Sequence, residues 1–349
     1  MNVISLFSGA GGLDIGLENA GFDTRLAIEI DADCRATILR NRPHWNPSNV
    51  HDGDITKFSA AELLQLSGLR RGEVDLIAGG PPCQSFSNMG KRGGFGDDRG
   101  QLVRTYFEMV LAIRPKAFVF ENVQGLLQHP DVISYIERQL EGRYAVEMRL
   151  INAADFGVPQ LRKRVVIIGA LGDQKVCFPA PTHAEADSLL GLRPWVTVRD
   201  ALQSIPIERL KAPDNMHMQH ADHMVERMRM IKPGQNFHSL PMRMRPDCWR
   251  NGKHQGADTF GRLEWDRPSV TIRTCGYNPT KGRYIHPSKH RGLSTLEMAA
   301  LQSFPTDYEF VGKIGSVGRQ IGNAVPPRLG EAIGHAIARH LRARARRAA

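Results

Sequence analysis

Short apolar runs alternate with turns and helical patterns over the first half of the chain, and this alternation limits the fold more than any other feature. Residues 3–7 have the pattern of a buried strand, residues 8–12 form a glycine-rich turn, and residues 13–20 repeat apolar side chains at helical spacing. Strand, glycine turn and helix in this order are typical of doubly wound α/β folds. We therefore predict a doubly wound, mostly parallel sheet.

The glycine-rich turn departs from the dinucleotide-binding pattern at one position. It supplies the first glycines of that pattern, but Asp14 stands in place of the third, which disfavours a pyrophosphate site. The glycines still let a ligand approach the backbone closely. Glycine turns after strands are also common for structural reasons alone.

Acidic residues at the ends of the next two predicted strands indicate a nucleoside-containing cofactor. Glu29 closes the apolar run 25–30 and lies 20 residues after Gly9, the spacing of a carboxylate that accepts both ribose hydroxyls. Asp54 stands near the following strand end, where it could accept from an adenine amino group. It could equally cap a helix that starts near Thr56.

A lone cysteine follows the apolar run 74–78. Pro81 and Pro82 restrict the backbone ahead of Cys83 and offer no N–H, so the thiol is held in a fixed direction just beyond a strand. Ligands of open α/β sheets bind at this edge. Because a lone cysteine is commonly a small buried hydrophobic residue, it is the Pro-Pro-Cys-Gln frame that favours a nucleophile.

Further reactive side chains follow later strands. Glu121 ends the next buried strand, so we expect it on the same sheet edge as Cys83, as a carboxylic acid beside a nucleophile. Residues 145–151 and 164–168 have the pattern of a terminal hairpin. In the segment before its second strand, Arg162 and Arg164 share one face, either as a charged edge or as contacts to phosphate or base.

The strand–helix alternation stops near residue 180, which predicts a second, smaller domain. Residues 180–265 carry clusters of Pro, Met, His and Arg, and the whole chain has a net charge of +10. Such an excess of positive charge favours a polyanionic partner such as nucleic acid.

Cysteine and histidine spacing disfavours a metal, and the apolar runs disfavour a membrane. The 5 cysteines include no CxxC pair, and the histidines at 217, 220 and 223 drift around a helix, so we predict no metal site. There is no apolar run long enough for a bilayer and no signal-peptide pattern, so we expect a reducing, cytoplasmic location.

Seven segments, in this order, resemble the motifs of C5-cytosine-specific DNA methyltransferases. The segments are 7–13 (FSGAGGL), 29–30 (EI), 53–55 (GDI), 80–87 (GPPCQSFS), 121–123 (ENV), 160–164 (QLRKR) and 322–325 (GNAV). The resemblance covers nearly the whole chain except about 180–265. It implies a Rossmann-like methyltransferase fold, with a catalytic and cofactor-binding domain at 1–180, a target-recognition domain at 181–318 and a C-terminal segment, 319–349, that returns to the first domain.

The resemblance also implies S-adenosylmethionine as the cofactor. Glu29 would hold the ribose, Ile30 and Ile55 would pack on adenine, and Asp54 would take the adenine amino group. The family often has an aromatic residue at position 30, so stacking there is expected to be weaker. The full set expected around the cofactor is Phe7, Gly9, Ala10, Gly12, Leu13, Glu29, Ile30, Asp54, Ile55, Pro81, Leu102, Asn323 and Val325.

The catalytic roles follow from the same resemblance. Cys83 would add to C6 of a flipped-out cytosine, and Glu121 would hold N3. Arg164 would fix the base through O2, with Arg162 supporting the site. The lid from Ser85 to Arg99 would close on the base, and the variable region 180–265 would read sequence in the major groove. The residues expected to touch DNA are Ser85, Ser87, Arg99 and Thr271.

Four other functions share some of these features. A nicotinamide oxidoreductase would need the missing third glycine, and a cysteine hydrolase would need a histidine at these strand ends. A catalytically silent DNA-binding relative would not require Cys83, Glu121 and Arg164 together. The tRNA cytosine-5 branch of the family typically carries a Cys-Phe-Thr segment, which is absent. The preferred reading is a monomeric bacterial enzyme acting on double-stranded DNA, an orphan methyltransferase or one with a cognate restriction endonuclease.

Overall fold

The computed structural model describes residues 1–82, 98–185, 191–250 and 258–348. The chain divides into two compact units. Unit 1 comprises Met1–Phe156, Lys163–Pro181 and Val325–Ala349, and unit 2 comprises Gly157–Arg162 and Thr182–Ala324. Compared with the predicted division, the short segments 157–162 and 319–324 belong to unit 2.

Unit 1 is built on a seven-stranded, mostly parallel sheet, which confirms the predicted fold class. The strands are β1 (Asn2–Leu6), β2 (Asp23–Glu29), β3 (Val50–Asp52), β4 (Leu76–Gly79), β5 (Ala117–Val123), β6 (Tyr144–Asn152) and β7 (Lys163–Leu171). Their order is β3-β2-β1-β4-β5-β7-β6, and β7 is antiparallel to both of its neighbours. The carboxyl ends of β1, β2, β4 and β5 therefore share one edge, and β7 begins there.

The described part of unit 1 has five α-helices before β6. They are α1 (Gly12–Asn19), α2 (Ala32–Arg40), α3 (Ala60–Ser67), α4 (Asp98–Ile113) and α5 (Pro130–Leu140). An aromatic cluster packs α4 on β5, with the ring of Phe107 5.7 Å from Phe118 and 5.3 Å from Phe120. The hydroxyl of Tyr106 donates to the carbonyl of Val119 over 2.7 Å. This cluster fixes the strand whose carboxyl end carries Glu121.

Unit 2 has little regular structure in its described part. Its elements are β8 (His183–Ala184), β9 (Arg193–Pro194), α6 (Val198–Gln203), α7 (Asp222–Met230), α8 (Asp247–Arg250), α9 (Thr295–Leu301) and α10 (Ile314–Asn323). A small apolar core includes Phe237, Trp249 and Phe260. The buried Arg262 donates to backbone carbonyls at the end of α7 and in the turn 286–289, so it ties these two segments together.

Residues 267–273 contribute only an isolated bridge at Ser269 to regular structure, because Pro268 has no N–H and the Ile272 N–H donates to a side chain, Gln160 Oε1. Residues 320–323 end α10, and the short segment 324–326 links it to the next helix.

The last helix, α11 (Pro327–Ala348), packs closely on α1 in unit 1. A Cβ added at Gly16 would lie 2.3 Å from the carbonyl oxygen of Pro327 and 2.4 Å from the backbone nitrogen of Glu331. A Cβ at Gly334 would lie 2.7 Å from the Cβ of Ala20. Glycine at these positions therefore lets the two helix backbones touch.

Replacing Gly16 by alanine should destabilise the protein, although alanine normally favours a helix. The added methyl group overlaps backbone atoms that cannot rotate away, so we expect a loss of about 1–3 kcal/mol in the free energy of unfolding, measured by urea denaturation. Gly125→Ala is the control, since its Cβ would meet only Val123 Cγ2 at 3.8 Å. A Gly16→Ala variant as stable as the parent protein would contradict the close packing.

The described part of the chain contains no helix that is both long and apolar enough to cross a membrane.

Candidate active site

A buried ion pair joins β5 to β7 at the carboxyl edge of the sheet. Arg164 Nε lies 2.9 Å from Glu121 Oε1, and the two side chains are 12% and 9% exposed. The register explains the contact. Glu121 pairs with Val166 and Val123 pairs with Arg164, so the two charged side chains are diagonal neighbours on one face. Two residues that the motifs assigned to one site are thus in contact.

The carboxylate of Glu121 retains hydrogen-bonding capacity. Its buried Oε1 meets Arg164 Nε at 2.9 Å as a charge contact that is poorly aligned for a hydrogen bond. Burial lowers the pKa of Arg164, and the neighbouring carboxylate opposes that shift. A buried carboxylate oxygen without a well-aligned donor can still accept a hydrogen bond from a ligand.

The backbone that leads towards Cys83 is anchored beside Glu121. Asn122 Nδ2 donates to the carbonyl oxygen of Pro81 over 3.3 Å. A Cβ at Gly80 would lie 3.1 Å from Glu121 Oε2, so glycine lets this segment pass close to the carboxylate. The described part of this segment ends at Pro82.

Several predicted residues lie outside this description. Cys83, Ser85 and Ser87 are outside the described residues, and Arg99 is described only as part of the backbone of α4. Their roles therefore stay predictions from the sequence.

The carboxylate of Glu29 closes the glycine turn by accepting from backbone N–H groups. Its Oε2 accepts from the N–H of Gly9 over 2.7 Å, and its Oε1 accepts from the N–H of Asp31 over 2.9 Å. Burial is the main cause that raises the pKa of Glu29. The next residue, Ile30, is 68% exposed, so its apolar surface is open to a ligand.

The turn itself has a strained backbone. Phe7 has a φ of 57°, in the left-handed region that non-glycine residues seldom occupy, and Gly9 and Gly11 have φ values of 55° and 75°. Such strain is concentrated at ligand-binding loops. Most of the other predicted cofactor residues of unit 1 have little exposed surface: Ala10, Gly12, Leu13, Ile55, Pro81 and Val325 are buried and Leu102 is half-buried.

Asp14, the residue that breaks the dinucleotide pattern, is 2% exposed. Burial raises its pKa to about 6, opposed by a hydrogen bond with Ser5. Since this carboxylate is buried within unit 1, it does not interrupt the surface of the turn. An aspartate in place of the third glycine is therefore compatible with a ligand that carries no pyrophosphate.

Asp54 caps the 3₁₀ turn Ile55–Lys57, so one of its two predicted roles is observed. Its Oδ1 accepts from both the N–H and the hydroxyl of Thr56, over 3.1 and 2.7 Å. These hydrogen bonds lower the pKa of the exposed carboxyl group. The cap fixes the direction of the side chain, which supports a second role in binding.

In unit 2, Arg162 is 1% exposed and donates hydrogen bonds to the backbone. Its guanidinium donates to the carbonyl oxygens of Ile272, Gly322 and Ala324 over 3.0–3.2 Å. Gln302 Nε2 donates to the same Ala324 oxygen over 2.7 Å. Together they fix the backbone on both sides of the exposed Asn323, so Arg162 acts within unit 2 by holding a segment in position.

Sequence reasoning missed Gln302, the second member of this network, because nothing in the sequence around it signals a buried contact. The predicted DNA contact of Thr271 stays a prediction. Thr271 is in unit 2, and its hydroxyl donates to the carbonyl oxygen of Leu161 over 2.8 Å.

Comparisons with known proteins identify the family. The sequence model of the C-5 cytosine-specific DNA methylases matches residues 1–339. The Type II methyltransferase M.PspPI of Psychrobacter sp. (strain TA137) is 36% identical over 353 residues, covering 98% of this chain and 80% of that protein. M1.HphI of Haemophilus parahaemolyticus is 37% identical over 348 residues, covering 97% of this chain and 86% of that protein.

Solved structures share the fold. A DNA modification methyltransferase encoded in an Escherichia coli prophage superposes with a TM-score of 0.74 at 24% identity, covering 98% of this chain and 99% of that one. The Dnmt2 methyltransferase of S. pombe gives 0.62 at 18% identity, with 98% and 99% covered. Since the family model spans nearly the whole sequence and the relatives exceed 30% identity along it, this chain belongs to the C-5 cytosine-specific DNA methylase family.

Proposed function

We propose that this enzyme methylates C5 of a flipped-out cytosine in a specific double-stranded DNA sequence, through a covalent bond between Cys83 and C6. The single observation that carries the site is the buried contact of Glu121 with Arg164 at the edge where the Pro-Pro-Cys segment leaves the sheet. A stacked base cannot reach such a site, so the cytosine must leave the duplex.

The residues divide the chemistry between them. The Cys83 thiolate forms a bond to C6, and the π electrons of the C5–C6 double bond shift onto C5, in conjugation with C4 and N3, so that C5 becomes nucleophilic. Glu121 holds N3, and Arg164, kept beside it by charge, holds O2, so both stabilise the charge that develops in the ring. After C5 carries the methyl group, loss of its proton and departure of the Cys83 sulfur restore the double bond.

The described residues fit S-adenosylmethionine, the methyl donor that the family uses in general. This cofactor, when bound, supplies an electrophilic methyl group. We assign the ribose to Glu29, adenine to Ile30 and Ile55, and the adenine amino group to Asp54. The support is the carboxylate fixed at the glycine turn and the exposed Ile30 beside it. The methionine end is assigned to the glycine turn with Pro81, Leu102, Asn323 and Val325.

Unit 2 is assigned to target recognition, with Thr271 at the DNA backbone. The enzyme is proposed to act as a monomer in the bacterial cytoplasm, either as the modification partner of a restriction endonuclease or alone. The tRNA-methylating alternative is not favoured, because the curated relatives are Type II methyltransferases.

The purified enzyme should transfer labelled methyl groups from S-adenosylmethionine to cytosine in duplex DNA. Bisulfite sequencing of a host genome that expresses the chain should show methylation confined to one short sequence. Transfer to tRNA but not to duplex DNA would contradict the proposal. Absence of transfer to either substrate would also contradict it, because the proposed activity would then not be observed.

A further inference from the structure

The guanidinium of Arg35 connects two strand ends at the nucleoside end of the proposed cofactor site. Its Nη1 donates to the carbonyl oxygens of Glu29 and Ile30 over 2.9 and 2.8 Å. The same nitrogen lies 3.0 Å from Asp52 Oδ1. The side chain of Arg35 is only 17% exposed, so these contacts hold most of it against the protein.

The positions of these acceptors explain what the contact does. β2 ends at Glu29 and β3 ends at Asp52, and the two residues are paired in the parallel ladder. Beyond this point no further rung of the β2–β3 ladder is formed. The carbonyl oxygens of Glu29 and Ile30 therefore receive a donor from the helix that follows, and Arg35 in α2 provides it.

Each of the three contacts lies next to a group assigned to the nucleoside. Glu29 carries the carboxylate for the ribose, Ile30 carries the exposed side chain for adenine, and Asp52 precedes Asp54 by two residues. Arg35 holds the backbone carbonyls of Glu29 and Ile30 and the carboxylate of Asp52, and it leaves the side chains of Glu29 and Ile30 untouched. A charged donor shared among three acceptors resists movement more than a single neutral hydrogen bond does.

We propose that Arg35 is a positioning residue for the cofactor, setting the direction of Glu29 and Ile30 before the nucleoside binds. The inference rests on the proposed function, because it gives those two residues their ligand. Arg35 touches no substrate. Without it, the backbone at the end of β2 samples other conformations, and part of the binding free energy goes into ordering it again.

The test uses binding of S-adenosylhomocysteine, measured by titration calorimetry without DNA. Arg35→Met keeps the length and apolar body of the side chain but removes its donors, and we expect the dissociation constant to rise on the order of tenfold. Arg35→Lys should recover part of the loss. Arg25→Met is the matched control, since Arg25 lies in β2, the strand whose end Arg35 contacts, and its own contact with Asp23 is an exposed ion pair of 3.3 Å.

A second measurement separates positioning from general loosening of the fold. The parent protein should prefer S-adenosylhomocysteine to its 2′,3′-dideoxy analogue, because only the former has hydroxyls for Glu29. In Arg35→Met that preference should shrink several-fold, since a misdirected carboxylate gains less from the hydroxyls. If Arg35→Met does not fold, the same ratio is measured for Arg35→Lys.

An unchanged dissociation constant and an unchanged preference would overturn the inference. So would an equal loss for both ligands, because that pattern marks a structural role alone. If the parent protein itself fails to bind S-adenosylhomocysteine, the proposed function fails, and this outcome is distinct from a failure of Arg35.

Discussion

Replacing Cys83 by serine should abolish methyl transfer to DNA while leaving cofactor binding unchanged. A serine hydroxyl is a far weaker nucleophile than a thiolate at neutral pH, so addition to C6 no longer activates C5. We expect the single-turnover rate to fall on the order of 10⁴-fold or more, the scale observed when other enzymes lose their nucleophile. Transfer of labelled methyl groups to a target duplex measures the rate, and calorimetry with S-adenosylhomocysteine checks binding.

The exposed cysteine at position 177 provides the matched control. Cys177→Ser makes the same chemical change on the surface of unit 1 and should leave transfer unaffected. A Cys83→Ser variant that methylated DNA at the parent rate would show that no covalent step through this sulfur is required.

Glu121→Gln should produce the second largest loss, about 10²- to 10³-fold in the transfer rate. The amide keeps the shape of the side chain, but it cannot hold N3 by sharing or donating an acidic proton. It also removes the charge that faces Arg164 Nε at 2.9 Å, so the guanidinium that is assigned to O2 loses its partner. Single-turnover transfer at saturating cofactor measures the effect.

The edge strand β6 offers a control of the same chemical kind. Glu147→Gln in β6 also removes a carboxylate beside an arginine, Arg149, but that pair is more exposed. It should change neither transfer nor stability by a measurable amount. If Glu121→Gln kept the parent transfer rate, the assignment of Glu121 to the base would be wrong. Denaturation of both variants separates lost activity from lost folding.

Several strands of unit 1 were predictable from the sequence because they contain a short apolar run bounded by turn residues. The runs at 3–7 and 25–30 both fall on observed strands, within one to two residues at each end. Strands buried on both faces leave little choice of pattern. The spacing between Gly9 and Glu29 predicted a ribose-binding carboxylate, and that role stays a prediction. The structure shows instead that Glu29 Oε2 accepts from the N–H of Gly9, since both residues follow neighbouring parallel strands.

The contact of Glu121 with Arg164 could not be derived from local patterns. The hairpin of β6 and β7 was predicted, but its second strand inserts between β5 and β6, and the order of strands depends on packing across the whole sheet. The motifs placed both residues in one site, whereas the register that makes them diagonal neighbours became visible only in the folded structure.

The contacts within unit 2 could not be predicted for a related reason. Arg162 was expected to share a face with Arg164, yet its acceptors Ile272, Gly322 and Ala324 lie more than a hundred residues away in sequence. Carbonyl oxygens are present at every residue, so no pattern of side chains marks which of them a buried guanidinium will contact. The apolar periodicity that predicted unit 1 has no counterpart in a unit with such short elements.

The most direct test is to trap the enzyme on a duplex that contains 5-fluorocytosine at the target position, with S-adenosylmethionine present. Fluorine at C5 cannot leave as a proton does, so the bond from Cys83 to C6 should persist. We predict a denaturation-resistant complex of one enzyme with one duplex, with the modified peptide containing Cys83, and no such complex for Cys83→Ser. Two results would contradict the account: no adduct with a duplex that contains the enzyme's target sequence, or an adduct at a residue other than Cys83.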